Sequence, residues 1–253
     1  LEREAARCHQ PNLLISSESI SARVARPLLD LFPEVTVLLV VRHPQEMRYS
    51  DYLERVKSNL YTGTFNEFVL DYRRNQRFSD GVGDWQKVCA TRGFHFRAIT
   101  YSRDRLFSDV MTVLDMPPPD SKDIPFVNER MPSTVYEFKR VTNRDADHLT
   151  GGAISRFLEA HAPRLQLMST VRPLDASLKP EARDLIEGEI TFFNERLGTD
   201  FQWTDPPTFD HEAATANKEE LFLRLATISR KTVPNGPIDD RISALVRAVF
   251  TRV

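Results

Sequence analysis

The residues best placed to do chemistry lie in one segment, Val35 to Lys57, which reads VTVLLVVRHPQEMRYSDYLERVK. An apolar, β-branched run ends at Val41, and Arg42 follows at once. Pro44 suits the first turn of a helix continuing through Lys57. In open α/β sheets, ligands bind where the carboxyl ends of strands meet the following helices, and Arg42 stands at such an end. A guanidinium makes paired, charge-assisted hydrogen bonds to phosphate oxygens. The Ser50 hydroxyl, eight residues on, offers another donor. The start of the helix favours an anion through its dipole. The chemistry predicted is recognition of a phosphate group. Residue types alone leave a plainer account equally open, with Arg42 in a surface ion pair and Ser50 an ordinary helix residue.

The elements that must position these residues are legible in outline. Three segments read as buried parallel strands: Leu13–Ser16, Val35–Val41 and Phe94–Thr100. The second is nearly all apolar, as a strand covered on both faces should be. Helical patterns alternate with them. Ile20, Val24, Leu28 and Leu31 recur at helical spacing before Pro33. Thr64 with Glu67 forms a capping box for a helix over Phe65–Asn75. Gly93 is placed to end a helix around Trp85–Thr91. This order predicts an α/β fold with a parallel sheet flanked by helices. After Met116-Pro117-Pro118-Pro119 only helical patterns follow: Thr134–Asn143, Ala153–Ala160, Pro180–Leu197, Asn217–Arg230 and Asp239–Phe250. The expected organisation is an α/β core over residues 1–120 and a helical region over 121–253 packed on it, as a lid or acceptor-binding wall.

Composition narrows the class. Of the 253 residues, 41% are apolar and 28% charged, as in an ordinary globular protein. A net charge of −2 gives no basic field for nucleic acid, so an anion site must be a local cluster. Cys8 and Cys89 are too few for a disulfide framework and read as reduced thiols of a cytoplasmic protein. The apolar run Val35–Val41 is far too short to span a membrane, and no signal peptide opens the chain. The opening residues Leu1 to Arg7 read as the middle of a helix with no initiator Met, so the natural chain is expected to extend upstream.

The form R-x-P-x-E-x-x-x-S-D-Y, here Arg42, Pro44, Glu46, Ser50, Asp51 and Tyr52, resembles the 3′-phosphate-binding element of sulfotransferases dependent on 3′-phosphoadenosine-5′-phosphosulfate (PAPS), especially their carbohydrate-type and bacterial members. The resemblance implies a P-loop-NTPase-like parallel sheet, with Arg42 and Ser50 gripping the 3′-phosphate of PAPS or its desulfated product PAP. LLISSE, Leu13 to Glu18, is similar to the strand that precedes the catalytic base, which implies that role for Glu18, while the plainer account has Glu18 capping a helix that begins near Ser19–Ile20. Asp71-Tyr72 through Trp85, Phe94 to Tyr101 and Leu106 to Leu114 resemble the bacterial members' middle region. Pro125 to Arg130 is similar to their loop before the helical half, so Asn128 and Arg130 are expected to close over the nucleotide. Phe193 to Leu197 resembles their late helix. One departure stands out. The family opens with a strand and a turn of the form K-x-G-T-T that holds the 5′-phosphosulfate, and the nine glycines here form no such loop. The expectation is that this element lies upstream in the natural chain or that half of the cofactor site has been lost.

The implied activity is sulfuryl transfer from PAPS to an acceptor hydroxyl or amine of a carbohydrate or other polar metabolite, without metal. The alternatives are a degenerate, non-catalytic nucleotide-binding relative and another nucleotide-dependent transferase such as a glycosyltransferase. Competing chemistries find little support. His9, His43, His95, His148, His161 and His211 show no metal-ligand spacing, and no G-x-S-x-G elbow is present. The basic run Arg73-Arg74-Asn75-Gln76-Arg77 reads as a solvated helix end, or else as the lining of a path for a polyanionic acceptor. Trp85 and Trp203 read as packing residues.

Overall fold

A computed structural model describes residues 14, 15, 17, 21–58, 60–71, 77–102, 104–117, 133–144, 148–161 and 178–204. Within them the protein is a mixed α/β structure, mostly helical, with a two-stranded parallel sheet. The chain divides into two compact units, Leu1–Leu39 with Phe78–Ala98, and Val40–Arg77 with Ile99–Val253.

In the first unit, helix α1 (Ala22–Leu29) starts at Ser21, whose side chain accepts from the Val24 amide. Its buried face is Ala22, Ala25 and Leu29, set against Trp85 and Val88 of the long helix over Phe78–Arg92. This corrects the expected face, because Val24 is 69% exposed. The small alanines allow close approach to the bulky Trp85, which a face of larger residues would hold off. Val35, Val37, Phe94 and Phe96 pack against the same cluster. The long helix stops at Gly93, whose φ of +69° is the left-handed turn that only glycine adopts cheaply.

Strands β1 (Thr36–Val41) and β2 (His95–Thr100) pair in parallel. The His95 amide donates to the Val35 carbonyl at 2.9 Å and the Tyr101 amide to the Val41 carbonyl at 2.6 Å. The register is therefore the same at both ends of the pair. Three strand expectations need correction. Each observed strand begins one residue later than the pattern suggested. Burial of β1 on both faces is not met: Thr36 and Val40 are exposed and only Val41 is buried, since among the described residues the strand has one paired neighbour and is poorly covered. Leu14 and Ile15 are exposed and in neither strand. Leu13 and Ser16 lie outside the described residues.

The second unit is organised around helix α2 (Pro44–Ser58). It packs on α3 (Phe65–Leu70), α6 (Ser133–Thr142), α7 (His148–His161) and α8 (Pro180–Leu197). The long helix of the first unit is α4 in chain order, and Leu106–Val113 is α5. Tyr49, Tyr52, Leu53 and Val56 form the buried face of α2, with Tyr49 stacked on Phe65 at 4.5 Å between ring centroids. The Thr64–Glu67 capping box forms as expected, but α3 ends at Leu70 rather than Asn75, because Asp71 leaves helical backbone at ψ 73°. Helix α8 has the expected bounds, with Pro180 in its first turn and Gly198 at φ +67° closing it. The patterns at 217–230 and 239–250 lie outside the described residues. Among the described residues no helix is long and apolar enough to cross a membrane.

Candidate anion site at the start of helix α2

Two residues, Arg42 and His43, join the end of β1 to Pro44 of α2. Arg42 lays its guanidinium over the Tyr101 ring, 5.3 Å from the centroid, and donates from Nη2 to Glu46 Oε2 at 3.4 Å. The ion pair expected of the plainer account is thus present. Both of its side chains are about 30% exposed, 30% for Arg42 and 32% for Glu46, and the contact is long. Such pairs contribute about 0–1 kcal/mol, within the reach of a phosphate to displace. The ring contact contributes about 0.5–1 kcal/mol at an exposed site and orients the guanidinium without neutralising it.

Ser50 is half-buried on α2, one turn beyond Glu46. Residues four apart share a helix face, so Glu46, which Arg42 contacts, lies on the α2 face that carries Ser50. Tyr101 was not foreseen as part of this group. The signal was available, because two parallel strands of equal length that end level bring the residues following them side by side.

The start of α2 is built by His43. Its carbonyl accepts the first helical bond, from the Met47 amide at 2.9 Å. Its Nδ1 accepts from the Gln45 amide at 3.2 Å, a side-chain cap on an otherwise unpaired helix donor. With Nδ1 accepting, Nε2 carries the proton and donates to the Gln202 carbonyl at 2.8 Å. Both ring nitrogens are thus engaged in hydrogen bonds within the protein. Gln45, fully buried, donates to the Thr204 carbonyl at 2.9 Å. The chain from Gly198 to Thr204 therefore runs as a strap to the amino end of α2. Its Phe201 is buried, with its ring 5.1 Å from that of His43. Nothing in local periodicity announces these bonds, which join residues 159 apart in sequence. Asn194, within the stretch Phe193–Leu197, anchors the strap. Asn194 Oδ1 accepts from the Thr199 hydroxyl at 2.7 Å and the Phe201 amide at 2.9 Å.

Other candidates fall out as follows. Glu18, Asn128 and Arg130 lie outside the described residues, as do His9 and Arg73–Gln76 of the basic run. Trp85 is a core residue, as expected. Trp203 packs beneath Arg183, whose guanidinium carbon lies 4.7 Å from the centre of the indole. Cys89 is buried, and burial pushes its thiol pKa upward, away from the reactive thiolate. Among the described residues no group of three or more His, Cys, Asp or Glu side chains could hold a metal ion. No family model matches the chain, and no curated protein or solved structure matches it.

Proposed function

We propose that the protein is a PAPS-dependent sulfotransferase with a P-loop-like α/β core, moving a sulfuryl group to a hydroxyl or amine of a carbohydrate or other polar metabolite. The observation that carries this reading is the delivery of Arg42, by the carboxyl end of a parallel strand, to the start of α2 and to contact with Glu46, on the face bearing Ser50. Tyr101 beneath the guanidinium adds support, because it holds the cation in place without consuming its charge. In this reading Arg42 and Ser50 hold the 3′-phosphate, and Asn128 and Arg130 close over the nucleotide. Glu18 takes the acceptor proton. The acceptor oxygen or nitrogen attacks sulfur in line, the bond from sulfur to the 5′-phosphate oxygen breaks, and PAP leaves with that electron pair. Positioning, charge stabilisation on the leaving phosphate and a base are what such a transfer requires.

Calorimetry with PAP tests the site. Arg42→Ala removes a charge-assisted contact of about 1.5–3 kcal/mol, which lowers affinity tenfold or more. Adenosine 5′-phosphosulfate, which lacks the 3′-phosphate, should bind equally to both proteins. Unchanged PAP affinity in the variant overturns the assignment. Glu18→Gln should leave PAP binding near wild type and lower transfer by about 10²-fold.

A second reading is a non-catalytic nucleotide-binding protein that keeps the Arg42 site. It predicts PAP binding dependent on Arg42 with no turnover. Preferential binding of nucleotide sugars over PAP would favour a glycosyltransferase instead.

A further inference from the structure

His43 stands between the proposed phosphate ligand and the helix it introduces, and it also meets the strap Gly198–Thr204. The strap is fastened at two ends. At the α8 end, Asn194 Nδ2 donates to the Phe201 carbonyl at 2.9 Å while its Oδ1 takes the Phe201 amide at 2.9 Å and the Thr199 hydroxyl. At the α2 end, His43 Nε2 and Gln45 Nε2 donate to consecutive parts of the strap, the Gln202 and Thr204 carbonyls. Phe201 is buried between these fastenings, near both Phe193 and the His43 ring.

We propose that His43 is a positioning residue that couples anion binding at Arg42 to closure of the Gly198–Thr204 strap, so that the strap regulates the same site. This rests on the reading of Arg42 as a phosphate ligand. Only Arg42 and His43 separate β1 from α2, so the orientation of His43 sets where the Arg42 stem begins. The His43 ring is fixed from two sides, by its cap on the Gln45 amide and by its bond to the strap. Releasing the strap removes one of the two and leaves Arg42 attached to a looser hinge. Linkage then works in both directions: a closed strap prepares Arg42 for an anion, and a bound anion holds the strap closed by the same factor.

Two substitutions separate the two bonds of the ring. Asn at position 43 is a good helix cap but is too short to reach Gln202. Gln can place its amide nitrogen near the site of imidazole Nε2, keeping the bond to the strap while losing the cap. PAP affinity is read by calorimetry, and exchange of the Phe201 amide by hydrogen–deuterium exchange with and without PAP. His43→Asn should weaken PAP binding about five- to tenfold and speed Phe201 exchange by a similar factor. His43→Gln should bind PAP and protect Phe201 nearly as wild type does. PAP should slow Phe201 exchange in the wild type and not in the Asn variant. Asn194→Ala, which frees the other end of the strap without touching α2, should weaken PAP binding in the same way. The proposal is overturned if the Asn variant binds PAP like wild type, or if PAP leaves Phe201 exchange unchanged. If the wild type does not bind PAP at all, the phosphate reading fails separately. Ligand-free exchange in the Asn variant then decides the latch alone, and an unchanged rate sinks it.

Discussion

Arg42 rests on Tyr101 and points one of its nitrogens at Glu46, so any phosphate arriving there meets a carboxylate as well as a guanidinium. Glu46→Gln should therefore raise PAP affinity, by up to about fivefold for an interaction of about 1 kcal/mol. The gain should shrink as salt screens the carboxylate, and calorimetry at two ionic strengths checks both points. An affinity that falls instead would make Glu46 a guide for Arg42 rather than a competitor. Lys139 presents the opposite situation. It is wholly buried, hydrogen-bonded to Asn143 Oδ1, and among the described residues no carboxylate pairs with it. Burial pushes its amine down to about 8. An unfolded lysine keeps its proton to about pH 10.4. Below about pH 8 both states are charged, and the folded state bears the full cost of a buried ammonium. Between those values only the unfolded chain holds the proton, so stability rises with pH. The rise is on the order of 3 kcal/mol. Lys139→Met should remove that rise and stabilise the protein at neutral pH, as measured by urea unfolding at pH 7 and 10.

At the scale of elements, α2 is fixed to α8 by a buried ion pair, Arg48 Nη2 to Glu189 Oε1 at 3.0 Å and Arg48 Nε to Glu189 Oε2 at 3.3 Å. Glu189→Leu removes the carboxylate of this buried pair and should cost about 3–5 kcal/mol. Changing both residues, Arg48→Met with Glu189→Leu, should recover most of that loss in denaturant titrations. No pattern in the sequence foretells this pair, since a buried polar residue needs a partner and these two lie 141 residues apart. The same holds for Gln45 and for the strap. What could be read was local chemistry. Pro180 and Gly198 mark both ends of α8, and Thr64 with Glu67 marks the start of α3. The spacing from strand to Arg42 to Ser50 was legible because it too is short-range. Helix α1 shows where pattern reading fails. Val24 and Leu28 outweigh alanine on any apolar count, yet Ala22, Ala25 and Leu29 are the α1 residues buried in the cluster with Trp85. Leu14 and Ile15 misled for another reason, since a short apolar run does not by itself distinguish a strand from exposed chain.

At the scale of the molecule, each compact unit contains one of the two tryptophans, Trp85 in the first and Trp203 in the second. Among the described residues the core cluster of the first unit is small, made of Ala22, Ala25, Leu29, Trp85 and Val88. Small cores give way first, so urea should disturb Trp85 at a lower concentration than Trp203. Fluorescence of the single-tryptophan variants Trp85→Phe and Trp203→Phe measures the two transitions, and coincident midpoints would show one cooperative unit. The parallel pairing of β1 with β2 also bears on how the chain tolerates change in length. Arg42 and Tyr101 are neighbours because the ladder holds a fixed register, from Val35 and His95 at one end to Val41 and Tyr101 at the other. The length of the crossover plays no part in that. A foreign loop grafted after Asp71 would lengthen the connection at a cost of about 0.6 kcal/mol per doubling and leave the pair in place. A single residue inserted within β2 would instead turn Tyr101 to the opposite face and strip Arg42 of its ring.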